Sequence, residues 1–222
     1  MIAVFLQARI DSSRLPGKAL LPLRGKPMVQ VVMERLRRIP ADLHILLTDA
    51  EGYGRFAPLA EQTGFKIFEG PKEDVLGRFC RAIETFRPKT IVRATGDNPL
   101  VSWELAEQIL ADHIRLSADY SAFQGMPLGL GVEVAEAYAL RQAEQETRDP
   151  YDHEHVTPYL YRNPEKFYLH RPLVELEYRG RSRVTVDTEE DYRRVEGIYH
   201  QLMKVELPGV EDILPLLGMG DP

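Results

Sequence analysis

The sequence predicts an α/β fold, in which a three-layer α/β/α sandwich surrounds a mostly parallel, Rossmann-like sheet. Two observations in the first half of the chain predict it. Short apolar runs appear at residues 2–7, 44–48, 66–68 and 90–95. Between these runs apolar residues recur at helical spacing, as Met28, Val32 and Leu36 do. Strands that alternate with amphipathic helices are typical of βαβ units and a parallel sheet.

The second half of the chain is mixed. Strands are predicted at residues 130–135 and 182–187, and helices at 137–147, 153–163 and 189–204. Thr188 and Asp191 have the spacing of a capping box, so the last helix should begin just after Thr188. Since no linker, repeat or low-complexity tract divides the chain, residues 1–222 are predicted to form a single domain.

The composition is that of an ordinary globular protein, with 44% hydrophobic and 28% charged residues. No apolar run approaches the roughly 18 residues that cross a bilayer, so no membrane association is expected. The opening MIAVFL has neither the basic start nor the length of a signal peptide, which favours a cytoplasmic protein. The one cysteine, Cys80, lies in a helical pattern and is predicted to be a buried apolar residue.

The charge is unevenly distributed along the chain. The net charge is −6, yet residues 1–40 carry eight Arg and Lys residues against only Asp11 and Glu34. An acidic body with a basic N-terminal segment argues against a nucleic-acid partner, which needs an extended positive face. The pattern favours one compact anion-binding site.

The segment QARIDSSRLPGK, residues 7–18, follows the first predicted strand. Ligands of open α/β sheets bind at the carboxyl ends of strands, where such loops lie. The chain contains neither a P-loop motif nor a dinucleotide fingerprint. Arg9, Arg14 and Lys18 can nevertheless converge on one polyanion, and Gly17 allows close backbone approach. The alternative is that these charges are simply solvated on a surface loop.

Two aspartates follow predicted strands elsewhere in the chain. Asp97 comes directly after the run TIVRATG, and Asp187 ends the run SRVTVD. Mg²⁺ prefers one or two protein carboxylates together with phosphate oxygens and water. The two aspartates and the cationic loop therefore suit a Mg²⁺–polyphosphate site. For Asp187 the alternative is an acidic residue that only stabilises a helix N-terminus.

The N-terminal segment QARIDSSRLPGKALLPLRGKPM resembles the signature of the cytidylyltransferases that activate sugar acids. These are the CMP-Kdo and CMP-sialic acid synthetases and, above all, their relatives named after the spore coat polysaccharide biosynthesis protein SpsF. The likeness continues in EDVLGRF, ATGDNPLV, GVEV, EHVTPYLYRNPEKF and RVTVDTEEDY. It implies a fold of the nucleotide-diphospho-sugar transferase type and transfer of CMP from CTP to a sugar acid, with release of pyrophosphate, for surface polysaccharide biosynthesis.

The resemblance also implies roles for individual residues and for partners. Catalytic roles fall on Arg9, Lys18 and Asp97, and Mg²⁺ binding on Asp97 and Asp187. The nucleotide-binding residues are expected to be Gln7, Ala8, Arg9, Ser12, Ser13, Arg14, Lys18 and Arg78. The substrate-binding residues are expected to be Asn98, Glu133 and His155. The partners implied are CTP, a sugar acid and a second copy of the chain in a homodimer.

Two other functions are compatible with a fold of this kind. A glycosyltransferase would also bind a nucleotide-sugar with Mg²⁺, but such enzymes usually carry an Asp-x-Asp motif that this chain lacks. A catalytically inactive nucleotide-binding module is the other alternative, and the presence of both Asp97 and Asp187 argues against it.

Overall fold

The computed structural model describes residues 1–217, and a seven-stranded sheet forms its centre. The strands of these residues are β1 (Ile2–Gln7), β2 (Pro22–Leu23), β3 (Lys26–Pro27), β4 (Leu43–Thr48), β5 (Lys66–Glu69), β6 (Thr90–Thr95), β7 (Tyr120–Ser121), β8 (Glu133–Glu136) and β9 (Leu169–His170). The large sheet has the order β5-β4-β1-β6-β8-β7-β9, and β2 and β3 form a separate hairpin.

The first four strands of the large sheet are parallel. β1 lies between β4 and β6, and β5 extends the sheet beyond β4. Gln7 at the end of β1 is in register with Thr95 at the end of β6. The carboxyl ends of these strands therefore meet at one edge of the sheet. β8 then pairs antiparallel with β6. Because β5, β4, β1 and β6 are all parallel, the predicted mostly parallel sheet is confirmed.

The helices cover both faces of the sheet. They are α1 (Met28–Leu36), α2 (Ala50–Thr63), α3 (Val75–Phe86), α4 (Trp103–Leu116), α5 (Ala137–Glu146), α6 (Pro150–His155), α7 (Pro158–Arg162), α8 (Glu189–Gln201) and α9 (Val210–Ile213). Side chains alternate across a strand, so β1 sends Val4 and Leu6 toward α1, α2 and α4. Ala3 and Phe5 of the same strand pack toward α3 and α5. The predicted three-layer sandwich is confirmed.

A third apolar cluster anchors the C-terminal part of the described chain. It includes Tyr192, Val195 and Ile198 of α8 together with Leu23 from the β2–β3 hairpin. Helix α8 begins after Thr188, whose hydroxyl accepts from Asp191 N while Asp191 accepts from the Thr188 backbone. The predicted capping box is confirmed.

The predicted strand at residues 182–187 is wrong. The segment is extended, but its pairing is limited to one bridge between Leu128 and Arg183. Its backbone instead bonds to two loops, since Val184 N donates to Leu128 O and Val186 N donates to Asp97 O. Val184 and Val186 are buried, as alternate residues of a strand would be, but the segment has no partner strand, which a sequence pattern alone does not reveal.

The predicted continuous helix at residues 153–163 is also wrong. Two short helices, α6 and α7, replace it. Val156 has φ 74°, and Pro158 opens the second helix. Proline cannot donate a backbone hydrogen bond inside a helix but is tolerated in its first turn, so Pro158 begins a new helix and the break falls before it, at Val156.

The remaining sequence predictions on the fold hold with small shifts of boundary. The strand predicted at 130–135 begins later, at Glu133. Cys80 is 2% exposed, and its thiol donates to Leu140 O, as expected of a buried apolar residue. Among the described residues, every helix is too short or too polar to cross a bilayer.

Candidate active site

The loop after β1 ends in a tight turn that fixes Lys18. Gly17 has φ 70°, a left-handed conformation that glycine adopts without a steric penalty. Lys18 N donates to Leu15 O at 3.1 Å, and a 3₁₀ turn follows at Lys18–Leu20. The Pro-Gly pair therefore directs the Lys18 side chain back toward the end of the sheet.

Asp97 lies in the turn that follows β6. Gly96 N donates to Gln7 O at 2.8 Å, which holds this turn against the end of β1. A Cβ atom at Gly96 would lie only 2.9 Å from the Cβ of Ala8, so the close approach requires glycine. Thr95 Oγ1 donates to Asp97 Oδ1 at 2.6 Å and orients the carboxylate.

Asp187 reaches the same edge of the sheet from a distant part of the chain. Val186 N donates to Asp97 O at 2.8 Å, and this bond places the next residue beside Asp97. Asp187 N in turn donates to Asp191 Oδ2 at 3.1 Å, which ties it to the capping box of α8. Hydrogen bonds from two consecutive backbone N–H groups, those of Val186 and Asp187, thus fix the position of the second aspartate.

The Lys18 ammonium lies between the two aspartates. Its Nζ atom is 3.2 Å from Asp97 Oδ2 and 3.0 Å from Asp187 Oδ1. Arg14 forms a 3.0 Å ion pair with the same Asp187 oxygen, and Arg183 binds the other Asp187 oxygen. The cationic loop and the two aspartates, which are distant in the sequence, therefore form one cluster.

The cations around Asp187 favour its ionised form. Burial by itself raises the pKa of this carboxyl group. The hydrogen bond from Lys18 and the charges of Lys18, Arg14 and Arg183 outweigh burial and hold the pKa below its usual range. Asp187 is therefore a carboxylate at neutral pH, as a metal ligand must be.

The donor set fits Mg²⁺. Asp97 and Asp187 already converge on one cation, the Lys18 ammonium. In the part of the chain that the structure describes, no group of three or more His, Cys, Asp or Glu side chains is placed to hold a metal ion. Two carboxylates suit a Mg²⁺ ion whose other ligands are phosphate oxygens and water.

A second polar cluster lies beside the first, on the face of the sheet that packs against α3 and α5. Arg93 of β6 forms an ion pair with Glu133, its register partner on β8. Tyr120 and Thr157 also donate to Glu133 Oε1, at 2.5 and 2.7 Å. Arg93 Nε donates to Gln7 Oε1 at 3.2 Å, which joins this cluster to the end of β1. The predicted substrate residue Glu133 therefore lies next to the nucleotide loop.

No hydrogen bond or ion pair of the described residues joins Arg9, Ser12 or Ser13 to the Lys18 cluster, and the charge of Arg9 acts on Asp11 and Arg78 instead. Arg9 is exposed and makes no side-chain hydrogen bond or ion pair with the described residues. Ser13 is also exposed, whereas Ser12 Oγ accepts from Leu15 N at 3.4 Å. Ala8 is 8% exposed, and its N–H donates to Leu47 O. Neighbouring strands hold the backbone of Gln7 and Ala8, so both residues position the loop.

Arg78 is placed differently from the loop cations. It is 3% exposed, and its guanidinium donates to Pro71 O and Lys72 O. These bonds hold the loop between β5 and α3. The structure therefore gives Arg78 a role in loop structure and does not bring it into the Lys18 cluster.

Asn98 and His155 have different surroundings. Asn98 follows Asp97, and its Oδ1 atom is buried without a hydrogen-bond partner among the described residues. A buried oxygen without a partner at this place suits a hydrogen-bond donor of a bound ligand. His155 is exposed and stacks on Tyr151 with ring centroids 4.3 Å apart. The structure does not bring His155 to Glu133; Thr157, two residues later, occupies that position.

Sequence reasoning missed four residues of the two clusters: Arg93, Tyr120, Thr157 and Arg183. Arg93 left a signal, because it is a charged residue inside the buried run TIVRAT. Arg183 also precedes Asp187 in the run SRVTVD. Tyr120 and Thr157 left none, since strand pairing and the break between α6 and α7 decide their positions.

The geometry is that of a nucleotidyltransferase, and comparison with known proteins identifies the family. The family model for cytidylyltransferases matches residues 3–211, so the chain belongs to the cytidylyltransferase family. It is 34% identical over 228 aligned residues to the spore coat polysaccharide biosynthesis protein SpsF of Bacillus subtilis (strain 168). That alignment covers 98% of this chain and 94% of SpsF.

Two solved structures share the fold. A cytidylyltransferase from Leptospira borgpetersenii superposes with a TM-score of 0.85 at 24% identity, covering 100% of this chain and 98% of that one. A CMP:2-keto-3-deoxy-manno-octonic acid synthetase complexed with CTP superposes with a TM-score of 0.70 at 17% identity. That match covers 90% of this chain and 98% of the synthetase. The expected fold of the nucleotide-diphospho-sugar transferase type is thereby confirmed.

Proposed function

We propose that this enzyme transfers CMP from CTP to a hydroxyl group of a sugar acid, with Mg²⁺, and releases pyrophosphate. The product would serve the synthesis of a surface polysaccharide, as the names of the SpsF and octonic acid synthetase relatives suggest. The observation that carries the proposal is the convergence of Lys18, Asp97 and Asp187 at the mouth of the N-terminal loop.

The loop supplies the cations that a triphosphate requires. Arg14 and Lys18 already lie in the cluster, and Arg9 of the same loop is exposed without an ion pair among the described residues. Guanidinium groups bind phosphate oxygens in a fork, and an ammonium group binds them as a point charge. We assign the triphosphate to these three side chains. Asn98 Oδ1 is an acceptor without a partner among the described residues, and it would suit a hydroxyl group of the sugar.

The reaction exchanges one phosphorus–oxygen bond for another. The acceptor oxygen attacks the α-phosphorus, and the bond from that phosphorus to the bridging oxygen breaks. Pyrophosphate leaves with the electron pair of the broken bond, and the hydroxyl proton passes to water. The protein aligns the two oxygens and neutralises the charge that develops on the phosphate groups.

Asp97 and Asp187 would hold the metal ion. When bound there, Mg²⁺ would supply Lewis-acid polarisation of a phosphate oxygen. Arg9 and Lys18 would stabilise the negative charge of the leaving pyrophosphate. Preorganised donors of this kind contribute about 3–4 kcal/mol each to a transition state in well-measured cases.

The acceptor would bind beside the Arg93–Glu133 pair. Because these two side chains neutralise each other, they favour sugar hydroxyl groups and not the acid group. Arg171 follows β9, is exposed, and makes no ion pair with a carboxylate of the described residues. Its guanidinium lies 5.1 Å from the ring centroid of Tyr161, which itself packs against Tyr120. We assign the carboxylate of the sugar acid to Arg171.

Pyrophosphate release tests the proposal. The protein would be incubated with Mg²⁺, one of CTP, UTP, GTP or ATP, and a panel that includes 2-keto-3-deoxy-manno-octonate and sialic acid. Release with CTP and an acid, and with no other nucleotide, is the expected result. If no combination of nucleotide and acid releases pyrophosphate, the result would favour an inactive binding module. Hydrolysis of a nucleotide-sugar added to the same samples would favour a glycosyltransferase.

Three broader features belong to the same proposal. We propose that residues 1–222 act as one domain, that two copies form a dimer, and that the reaction takes place in the cytoplasm, where CTP is made. The family model that spans residues 3–211 supports the single domain, and the resemblance to the synthetases supports the dimer. Light scattering would test the dimer, since the expected mass is twice the 25.4 kDa of one chain.

A further inference from the structure

The Lys18 ammonium lies where the two aspartates would bind Mg²⁺. Lys18 Nζ contacts Asp97 Oδ2 at 3.2 Å and Asp187 Oδ1 at 3.0 Å, and it donates to Val186 O at 2.8 Å. An ammonium group has three N–H donors, and these three acceptors use all of them. The Lys18 side chain is only 12% exposed, so little water competes for these contacts.

The remaining oxygen of each carboxylate is occupied as well. Asp97 Oδ1 accepts from Thr95 Oγ1 at 2.6 Å, and Asp187 Oδ2 accepts from Arg183. The two oxygens that converge on one point between the aspartates are those that face Lys18, and one of them, Asp187 Oδ1, also pairs with Arg14. A metal ion shared by both aspartates would use these two oxygens. The ammonium and a divalent cation cannot share these oxygens, because positive charges about 4 Å apart repel strongly in a partly buried site.

The backbone of Lys18 is held firmly, whereas its side chain is long and unbranched. Lys18 N donates to Leu15 O, and Leu21 N donates to Lys18 O, both at 3.1 Å. Four rotatable bonds separate this anchored backbone from the ammonium group. The ammonium can therefore leave the aspartates while the loop keeps its conformation.

We propose that Lys18 is a resident counter-cation that excludes divalent metal ions from the nucleotide-free site, so that metal and triphosphate bind together. The inference deepens the proposed function and takes the polyphosphate ligand from it. A triphosphate supplies both things that the protein lacks, namely new acceptors for the Lys18 ammonium and further oxygen ligands for the metal. Lys18 then moves from the carboxylates to the phosphates, where it is needed for the transfer.

The test is Mn²⁺ binding to the nucleotide-free protein, followed by electron paramagnetic resonance. Wild type is expected to bind Mn²⁺ weakly. Lys18→Met keeps the length of the side chain without its charge, and we expect it to bind Mn²⁺ about tenfold more tightly or better. The double variant Lys18→Met/Asp97→Asn should lose this gain.

Lys26→Met is the matched control, because Lys26 belongs to the same N-terminal segment but pairs with Glu34 at 48% exposure. It should leave Mn²⁺ binding unchanged. If Lys18→Met proves unstable, Lys18→Gln retains polarity at the same position and makes the same comparison.

Two results overturn the inference. One is micromolar Mn²⁺ binding by the wild type without nucleotide, and the other is a Lys18 variant whose affinity equals that of the wild type. No turnover is measured in this experiment. A failed transferase assay together with an increased Mn²⁺ affinity of the variant would thus reject the proposed function alone.

Discussion

A single backbone hydrogen bond of 2.8 Å, from Val186 N to Asp97 O, joins the two halves of the candidate active site. It connects the turn after β6 to the segment before α8. The side chains of Asp97 and Asp187 thereby reach the same ammonium group. The position of the second carboxylate therefore depends on the extended backbone of residues 182–187, although that segment is not a strand of the sheet.

Removing either carboxylate should abolish metal-dependent turnover without unfolding the protein. Asp97→Asn and Asp187→Asn keep the size of each side chain but remove the negative charge that favours metal binding. We expect turnover to fall at least ~100-fold in each variant, with little change in melting temperature. Steady-state pyrophosphate release and a thermal melt measure the two effects.

Glu190→Gln is the control for this pair, because it removes a nearby carboxylate that is 87% exposed in the first turn of α8. Its turnover should equal that of the wild type. Wild-type turnover in Asp97→Asn or Asp187→Asn would contradict the metal assignment.

Gly96→Ala should impair catalysis by displacing the Asp97 turn. The added Cβ would lie 2.9 Å from the Ala8 Cβ and 3.3 Å from Gln7 O, so either the turn or the end of β1 must move. A shift of this kind near the reacting groups is expected to lower kcat about 100-fold. The assay is again pyrophosphate release at saturating substrates.

A second glycine provides the control for the added methyl group. Gly197 lies inside α8, and a Cβ there would meet no atom within 4 Å. Gly197→Ala should raise the free energy of unfolding by about 0.5–1 kcal/mol and leave kcat unchanged. Equal kcat values in Gly96→Ala and Gly197→Ala would show that the Asp97 turn tolerates displacement.

Arg171→Gln should weaken the binding of the acid acceptor and not of the nucleotide. A charged hydrogen bond to a carboxylate is worth roughly 1.5–3 kcal/mol, so we expect the KM for the sugar acid to rise by about tenfold or more. The KM for CTP should stay the same. Arg181→Gln, another exposed arginine of the C-terminal part, is the control. An unchanged KM for the acid in Arg171→Gln would remove Arg171 from the acceptor site.

The pH dependence of stability should include a contribution from His153. A hydrogen bond of 2.7 Å and the charge of Asp74 raise the pKa of His153 above its usual range. The folded state therefore binds the proton more tightly than the unfolded state. This contribution is fully present below about pH 6.5 and is lost as the pH rises through the raised pKa of the folded state.

His153→Gln removes this titrating group while keeping a polar side chain beside Asp74. The melting temperature of the wild type should fall more steeply between pH 6 and pH 8 than that of the variant. If the melting temperatures of the wild type and the variant change equally with pH across that range, the assigned ion pair would be contradicted.

The N-terminal site was predictable from local sequence, and the acceptor side was not. Lys18 and Asp97 each follow a strand of the parallel half of the sheet, where periodicity and strand order place their side chains at one edge. Glu133 could be assigned only from the family resemblance. Its partner Tyr120 comes from a two-residue strand, for which the sequence carries no periodic signal.

The errors at residues 153–163 and 182–187 have different physical origins. Both segments have apolar residues at the spacing of a regular element, but neither backbone is in a position to continue that element. Pro158 begins the second helix, and the extended segment has no strand beside it. The proline is a local signal that the sequence already contains, whereas the missing partner strand is tertiary context that a single sequence does not contain.

A crystal structure with CTP and Mn²⁺ tests the central claim most directly, through the anomalous signal of the metal. The account predicts a Mn²⁺ peak in contact with both Asp97 and Asp187, with the Lys18 ammonium on a phosphate oxygen. A triphosphate bound away from the N-terminal loop, or a metal peak that touches neither aspartate, would contradict it.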